Sequence, residues 1–308
     1  MNSLELTKRR VMGRYKLTVS KAETGIIVKE TPWFDNLITD GGLDRMGNNA
    51  DWLTNCQVGS GNTAPANNNT TLASFIANSS TLNGTPTRTN AQDGSDWYCS
   101  ISKVFRFAAG VATGNIAEVG VGWSATSGSL FSRALVTPSA ITVLADEVLD
   151  VTYEFRYYAP SADANGMVTL NSVNYYWLAR ACEVDNNTYW TIATNNGVNQ
   201  GNGPASTTYS GQIGAITVSP SSASGSAGTN SVNTYVSNPP IYERSCVVTW
   251  GLSAGNAAGG IGAIRFGMGI GTFQIGFYEA DLTTPKPIPK NNTNTLSLTF
   301  KHSWARRP

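Results

Sequence analysis

Leu149-Asp150-Val151-Thr152-Tyr153-Glu154-Phe155-Arg156-Tyr157 alternates large apolar and polar side chains without a break. A period of two puts Leu149, Val151, Tyr153, Phe155 and Tyr157 on one face of an extended chain, the face that seeks a core. The same period recurs in Val119, Val121 and Trp123, and in Ile264, Phe266 and Met268. It closes the chain in Leu296, Leu298, Phe300, His302 and Trp304. Only two short stretches, 36–46 and 72–77, carry a helical pattern. Many short strands parted by Gly, Asn, Ser and Pro turns predict an all-β chain of antiparallel β-sandwich type.

The alternating segments also repeat. Gly114-Asn115-Ile116 lies against Gly259-Gly260-Ile261 at an offset of 145 residues, and Phe105 to Gly110 against Trp250 to Gly255 at the same offset. Thr137-Pro138, Ile141 and Leu149-x-Val151 lie against Thr284-Pro285, Ile288 and Leu296-x-Leu298 at an offset of 147. Trp52-Leu53 precedes Cys56-x-Val58 as Trp177-Leu178 precedes Cys182-x-Val184, and Cys99 matches Cys246. An ordered set of matches points to internal duplication. The expected architecture is two similar antiparallel β-sandwich lobes, residues 1–160 and 161–308, with long Asn/Ser/Gly-rich loops. Strands at 15–19 and 25–30 join the first lobe, which begins with a basic N-terminal tail.

Two segments read as loops, 59–96 and 195–240, the second with one strand expected at 213–218. Loops of this length are unusual in a compact domain, so they are expected to order against neighbouring subunits.

Charged residues make up 13% of the 308, about half the usual share, and 21 Lys+Arg nearly balance 20 Asp+Glu. Such a surface has no long-range field to attract nucleic acid. No uninterrupted apolar run reaches membrane-helix length and the start lacks a secretory pattern, so a soluble product made in the cytoplasm is expected. Cys56, Cys99, Cys182 and Cys246 are widely spaced among apolar neighbours, as buried thiols would be.

Chemistry is sparse. Gly251-Leu252-Ser253-Ala254-Gly255 matches a nucleophile elbow, followed by Glu279 or Asp281 and then His302 in hydrolase order. No helical pattern follows it, and the repeat puts Ala108 and Phe155 at the places of Ser253 and His302. Gly267-Met268-Gly269-Ile270-Gly271 lies inside a strand pattern, away from the context of a dinucleotide loop. One histidine cannot build a His-based zinc site. Glu183 and Asp185 read as a solvated turn. No catalytic residue, metal site or cofactor is assigned, and an enzyme is not expected. Two clusters remain as interaction candidates. Lys8, Arg9, Arg10 and Arg14 could dock on an acidic partner or form a solvated tail, and Tyr175, Trp177, Tyr189 and Trp190 read as core plus subunit interface, with a glycan platform as the alternative.

Asn36 to Asp44, Cys56 to Ala66 with Thr71-Leu72, and Leu130 to Leu135 running on to Phe155 together resemble tailed-bacteriophage virion proteins. The resemblance spans about residues 34–158. It implies a tail fibre, baseplate or collar role, with a capsid decoration or head-fibre protein and a host-surface glycan-binding adhesin as alternatives. The implied partners are other virion proteins and further copies of the chain, with a host glycan possible. The implied location is the virion, assembled in a bacterial cytoplasm. A virion part must persist without turnover, a demand met by a high unfolding barrier.

Overall fold

The computed structural model describes residues 3–48, 52–125, 128–192, 205–222, 228–238, 241–267 and 271–308. Strands account for 53% and helix for 3%, so the chain is all-β. The strand Glu147–Tyr158, which contains the opening alternation, pairs antiparallel with Arg9–Lys21 on one side and Asp96–Phe107 on the other. Tyr153 faces Tyr15 across that ladder, with ring centroids 4.7 Å apart.

These strands are the middle of a ten-stranded sheet. Its path runs Thr229–Asn238, Ile241–Trp250, Leu296–Arg306, Arg9–Lys21, Glu147–Tyr158, Asp96–Phe107 and Thr87–Asp93. The two ends of the chain meet inside it. Ser3–Glu5 runs parallel to Thr299–Lys301, and Arg9–Val11 parallel to Trp304–Arg306.

A five-stranded sheet of Leu37–Ile38, Leu130–Leu135, Glu118–Gly122, Asn55–Gly59 and Phe75–Ser79 shares one apolar core with the first part of the large sheet. Trp52 sits edge-on to both Phe131 and Phe155 in that core. A second five-stranded sheet of Ala164–Leu170, Val173–Cys182, Thr272–Tyr278, Ala263–Gly267 and Ala205–Tyr209 shares another core with Ile241–Trp250 and Leu296–Arg306. Phe266 and Phe300 stack there at 4.2 Å.

Neither core respects the boundary at residue 160. Leu4 and Leu6 belong to the second core, while Ala181, Val184, Trp190, Ile192, Tyr242 and Trp304 belong to the first. The residues read as a basic N-terminal tail are largely strand, because Val11, Tyr15, Leu17 and Val19 bury one face of Arg9–Lys21. The halves share one ladder pair: Ile116 faces Ile141, and Ile261 faces Ile288. Their strand orders differ. Asn55–Gly59 pairs with Glu118–Gly122, whereas Val173–Cys182 pairs with Thr272–Tyr278. Cys99 faces Tyr157, and Cys246 faces Phe300 in place of the Trp304 that the repeat would supply.

Local expectations shift for identifiable reasons. The helix begins at Asp40 and ends at Asn48, because Leu37–Ile38 is held in a ladder with Arg133 and Ser132. Thr39 then caps it, its Oγ1 accepting from the Gly42 N–H at 2.9 Å. Residues 75–79 form a strand on Asn55–Gly59 instead of a helix. Residues 213–218 form no strand. The buried Gln274 amide takes over their backbone, accepting from Gly214 N and donating to the carbonyls of Gly214 and Ala215. The strand of that segment is Ala205–Tyr209, and Thr229–Asn238 follows in the region read as loop; the rest of 195–240 lies partly outside the described residues. No described helix is long and apolar enough to cross a membrane.

Trp304 is fully buried at the meeting of the two chain ends and donates from Nε1 to Leu43 O at 2.8 Å. Trp304→Ala is expected to cost about 3–5 kcal/mol in urea unfolding. Trp33→Ala, at a side chain 39% exposed, should cost far less.

Candidate functional site

The first locus is a buried ion pair. Glu118 and Arg133 meet diagonally across neighbouring strands of the first five-stranded sheet, where Glu118 faces Leu135 and Arg133 faces Gly120; their charged groups are 2.7 Å apart, with neither side chain more than 2% exposed. The Glu118 carboxylate also accepts from the backbone N–H groups of Gly61, Ala73 and Ser74 at 3.1, 3.0 and 2.6 Å. Arg133 donates onward to Asn69 Oδ1 and Thr63 O. One pair therefore holds both ends and the middle of the segment 60–74. A side chain at Gly59 or Gly61 would collide with Glu118, which explains glycine at both. The Gly-Ser-Gly-Asn-Thr-Ala-Pro block is thus tied down by contacts within the chain. Burial pushes the Glu118 pKa up, but the Ser74 and Ala73 N–H groups and Arg133 outweigh it and hold the carboxyl below its usual range.

The second locus is the seam where the halves meet. Arg9, expected on a docking surface, is fully buried there. Its guanidinium lies 4.4 Å over the Phe273 ring, and Nη1 donates to His302 Nδ1 at 2.5 Å. Arginine can only donate, so His302 carries its proton on Nε2, which has no partner among the described residues. Burial, then the charges of Arg9 and Arg244, push the His302 pKa well below its ordinary value, and the ring is neutral. Burial likewise lowers Arg9 to about 10. Trp190 completes the seam, stacked on Tyr157 at 5.0 Å and edge-on to Phe273.

Of the remaining basic candidates, Arg10 and Arg14 are matched by acids. Lys8 is exposed. Arg10 pairs with Asp96 at 3.0 Å, and Arg14 pairs with Glu154 while lying over the Trp33 ring. Arg156 and Arg307 join them, on Glu154 and on Asp93 with Asp96, and Arg307 stacks on Tyr158. On this face four arginines share the three carboxylates of Asp93, Asp96 and Glu154 in a ladder of ion and ring pairs. The aromatic candidates are mostly interior: Tyr175, Trp177 and Trp190 are 6%, 3% and 0% exposed. Tyr189 is half-buried under Arg265. These rings build cores and the seam, so no open ligand platform is made of them. Ser253 lies beyond Trp250, which pairs with Leu296, while His302 lies six residues along that partner strand. At about 3.3 Å per residue the two are about 20 Å apart, too far for a triad. All four cysteines are free and buried.

A groove of about 650 Å³ lies between Thr87–Asp93, the edge strand of the large sheet, and the turn at 183–190. Asn90 ties the two together, donating from Nδ2 to Val184 O and Trp190 O at 2.8 and 2.9 Å. Glu183 turns the chain at φ 53° and is anchored by Ser219 and Arg265. Arg88, Thr89, Asp185, Asn186, Asn187 and Thr217 line the rest. The sequence reading of Glu183 and Asp185 as a solvated turn missed this groove, because its far wall comes from a strand about 95 residues away. Among the described residues, no group of three His, Cys, Asp or Glu side chains is placed to hold a metal ion. Comparison with protein-family models, with curated proteins and with solved structures finds no match to this chain.

Two measurements follow from the buried groups. Arg133→Ala strands the Glu118 charge in the interior, and is expected to cost about 3–5 kcal/mol and to open residues 60–74 to protease. His302 has a folded pKa below its unfolded value, so its contribution is present at neutral pH. It is lost as pH falls below about 6.5 toward the folded pKa, at up to about 1.4 kcal/mol per pH unit. His302→Asn, which keeps an acceptor for Arg9, should flatten the stability profile between about pH 6.5 and 5.

Proposed function

We propose that this chain is a non-enzymatic structural component of a bacteriophage tail, a fibre, collar or baseplate protein linking the tail to adhesin parts. It resides in the virion after assembly in the host cytoplasm and works through symmetric contacts with copies of itself and with other virion proteins. Its plan is read as two similar sandwich lobes from an internal duplication, and the matched Ile116–Ile141 and Ile261–Ile288 pairs support that plan.

The observation that carries the reading is the Glu118–Arg133 lock. Two of the blocks that resemble virion proteins, 56–66 and 130–135, meet at it through Gly61, Thr63 and Arg133, and it turns a glycine- and asparagine-rich segment into fixed structure. A buried, fully bonded carboxylate serves rigidity, whereas a general acid or base needs access to a reacting group. The arginine ladder and the shared ten-stranded sheet serve the same end, a body that transmits load without moving parts. Neutral polar surfaces keep copies apart until an extended interface forms.

Immunogold labelling of intact particles with antibody raised against the purified chain is the direct test. Label along the tail or at its tip is expected. Label on the capsid would replace this reading with a head-decoration role, and unlabelled particles would remove the virion assignment.

A further inference from the structure

We infer that the groove between Thr87–Asp93 and the turn at 183–190 binds a neutral, hydroxyl-rich saccharide. The inference does not depend on the tail assignment, because it rests on the groove alone.

Most charged side chains in the described residues are engaged in ion pairs. Arg88 and Asp185 are different. Both line the groove, and neither side chain makes an ion pair or a hydrogen bond, with the other or with anything else among the described residues. An anionic ligand would meet the Asp185 and Glu183 carboxylates, and a cationic one would meet Arg88. A hydroxyl both donates and accepts, so a row of hydroxyls can satisfy the carboxylate and the guanidinium at once. The other lining groups have the same dual character: the amides of Asn186 and Asn187, and the hydroxyls of Thr89 and Thr217. On the floor, Asn90 spends its two donors on Val184 and Trp190 and leaves Oδ1 buried without a partner, an acceptor in surplus.

The framework is rigid where it needs to be. Glu183 is held by Ser219 and Arg265, and Asn186 closes the turn by accepting from Thr188 and Trp190. The volume lies in the range of about 300–1,000 Å³ typical of small-ligand sites. Among the described residues no aromatic ring walls the groove, so binding rests on hydrogen bonds that compete with water. A single site should therefore be weak, with a Kd of about millimolar. Display of several copies on one particle would raise the avidity by about 10²–10⁴.

The test uses the purified full chain, multimerised on beads, against immobilised oligosaccharides ending in glucose, galactose, mannose or N-acetylglucosamine. Sialylated and uronic-acid oligosaccharides and a zwitterionic dipeptide form the charged arm. Binding of at least one neutral oligosaccharide is expected, with about tenfold or greater loss in Arg88→Ala and in Asp185→Ala. Because both side chains are exposed and unbonded, Tm should stay at the wild-type value in either variant. Binding confined to the charged probes, no binding to any neutral probe, or full binding by the Arg88→Ala/Asp185→Ala double variant would each overturn the inference. Immunogold labelling of the particle reports on the tail reading separately, so either conclusion can fail alone.

Discussion

The parallel pairing of Arg9–Val11 with Trp304–Arg306 is the contact on which the rest of the molecule depends. It joins the first strand to the last, and thereby makes one ten-stranded sheet of what would otherwise be two separate sheet edges. An open edge carries a row of unsatisfied N–H and C=O groups and invites pairing with other chains. Closing both edges against each other removes that exposure and sets the two apolar cores side by side. The Ser3–Glu5 strand extends the zipper on the far side of the seam and delivers Leu4 and Leu6 to the second core.

Polar groups buried along this seam give it specificity at an energetic cost. Among the described residues Arg9 has no carboxylate partner; its charge is met by the Phe273 ring, the Tyr157 hydroxyl and a histidine kept neutral through burial. Burying a guanidinium in this way is unfavourable unless the surroundings hold it in one geometry. The Tyr157–Trp190 stack and the Asn90 bridge to Val184 and Trp190 supply that geometry from both halves. The same bridge shapes the neighbouring groove, so the join between the halves and the candidate saccharide site share one set of contacts.

Glu118 and Arg133 show a different use of buried charge. There the pair is complete, and its surplus hydrogen-bonding capacity captures three backbone N–H groups and a carbonyl from one long segment. A loop without strands of its own thus gains order from a two-residue hub. Gln274 acts likewise on residues 214 and 215 in the second half. Long polar segments in this protein are organised from beneath, by buried side chains reaching up to their backbones.

The residues alone determined the all-β class and the core faces of the long alternating strands, but not the strands at Phe75–Ser79, Thr87–Asp93, Ala205–Tyr209 and Thr229–Asn238. Period-two alternation is a local property, and a face with Leu149, Val151, Tyr153, Phe155 and Tyr157 must turn inward wherever the strand is placed. They also marked Ile116, Ile141, Ile261 and Ile288 as matching positions, which pair in the fold. Tertiary structure alone decided that Arg9 is interior while Arg10 and Arg14 are surface pairs, since that depends on which strand lies alongside residues 9–11. It alone assigned Trp177 and Trp190 to different cores and brought Arg88 to face the turn at 183–190. Such placements turn on contacts between residues tens to hundreds of positions apart, and local pattern holds no record of a partner that distant.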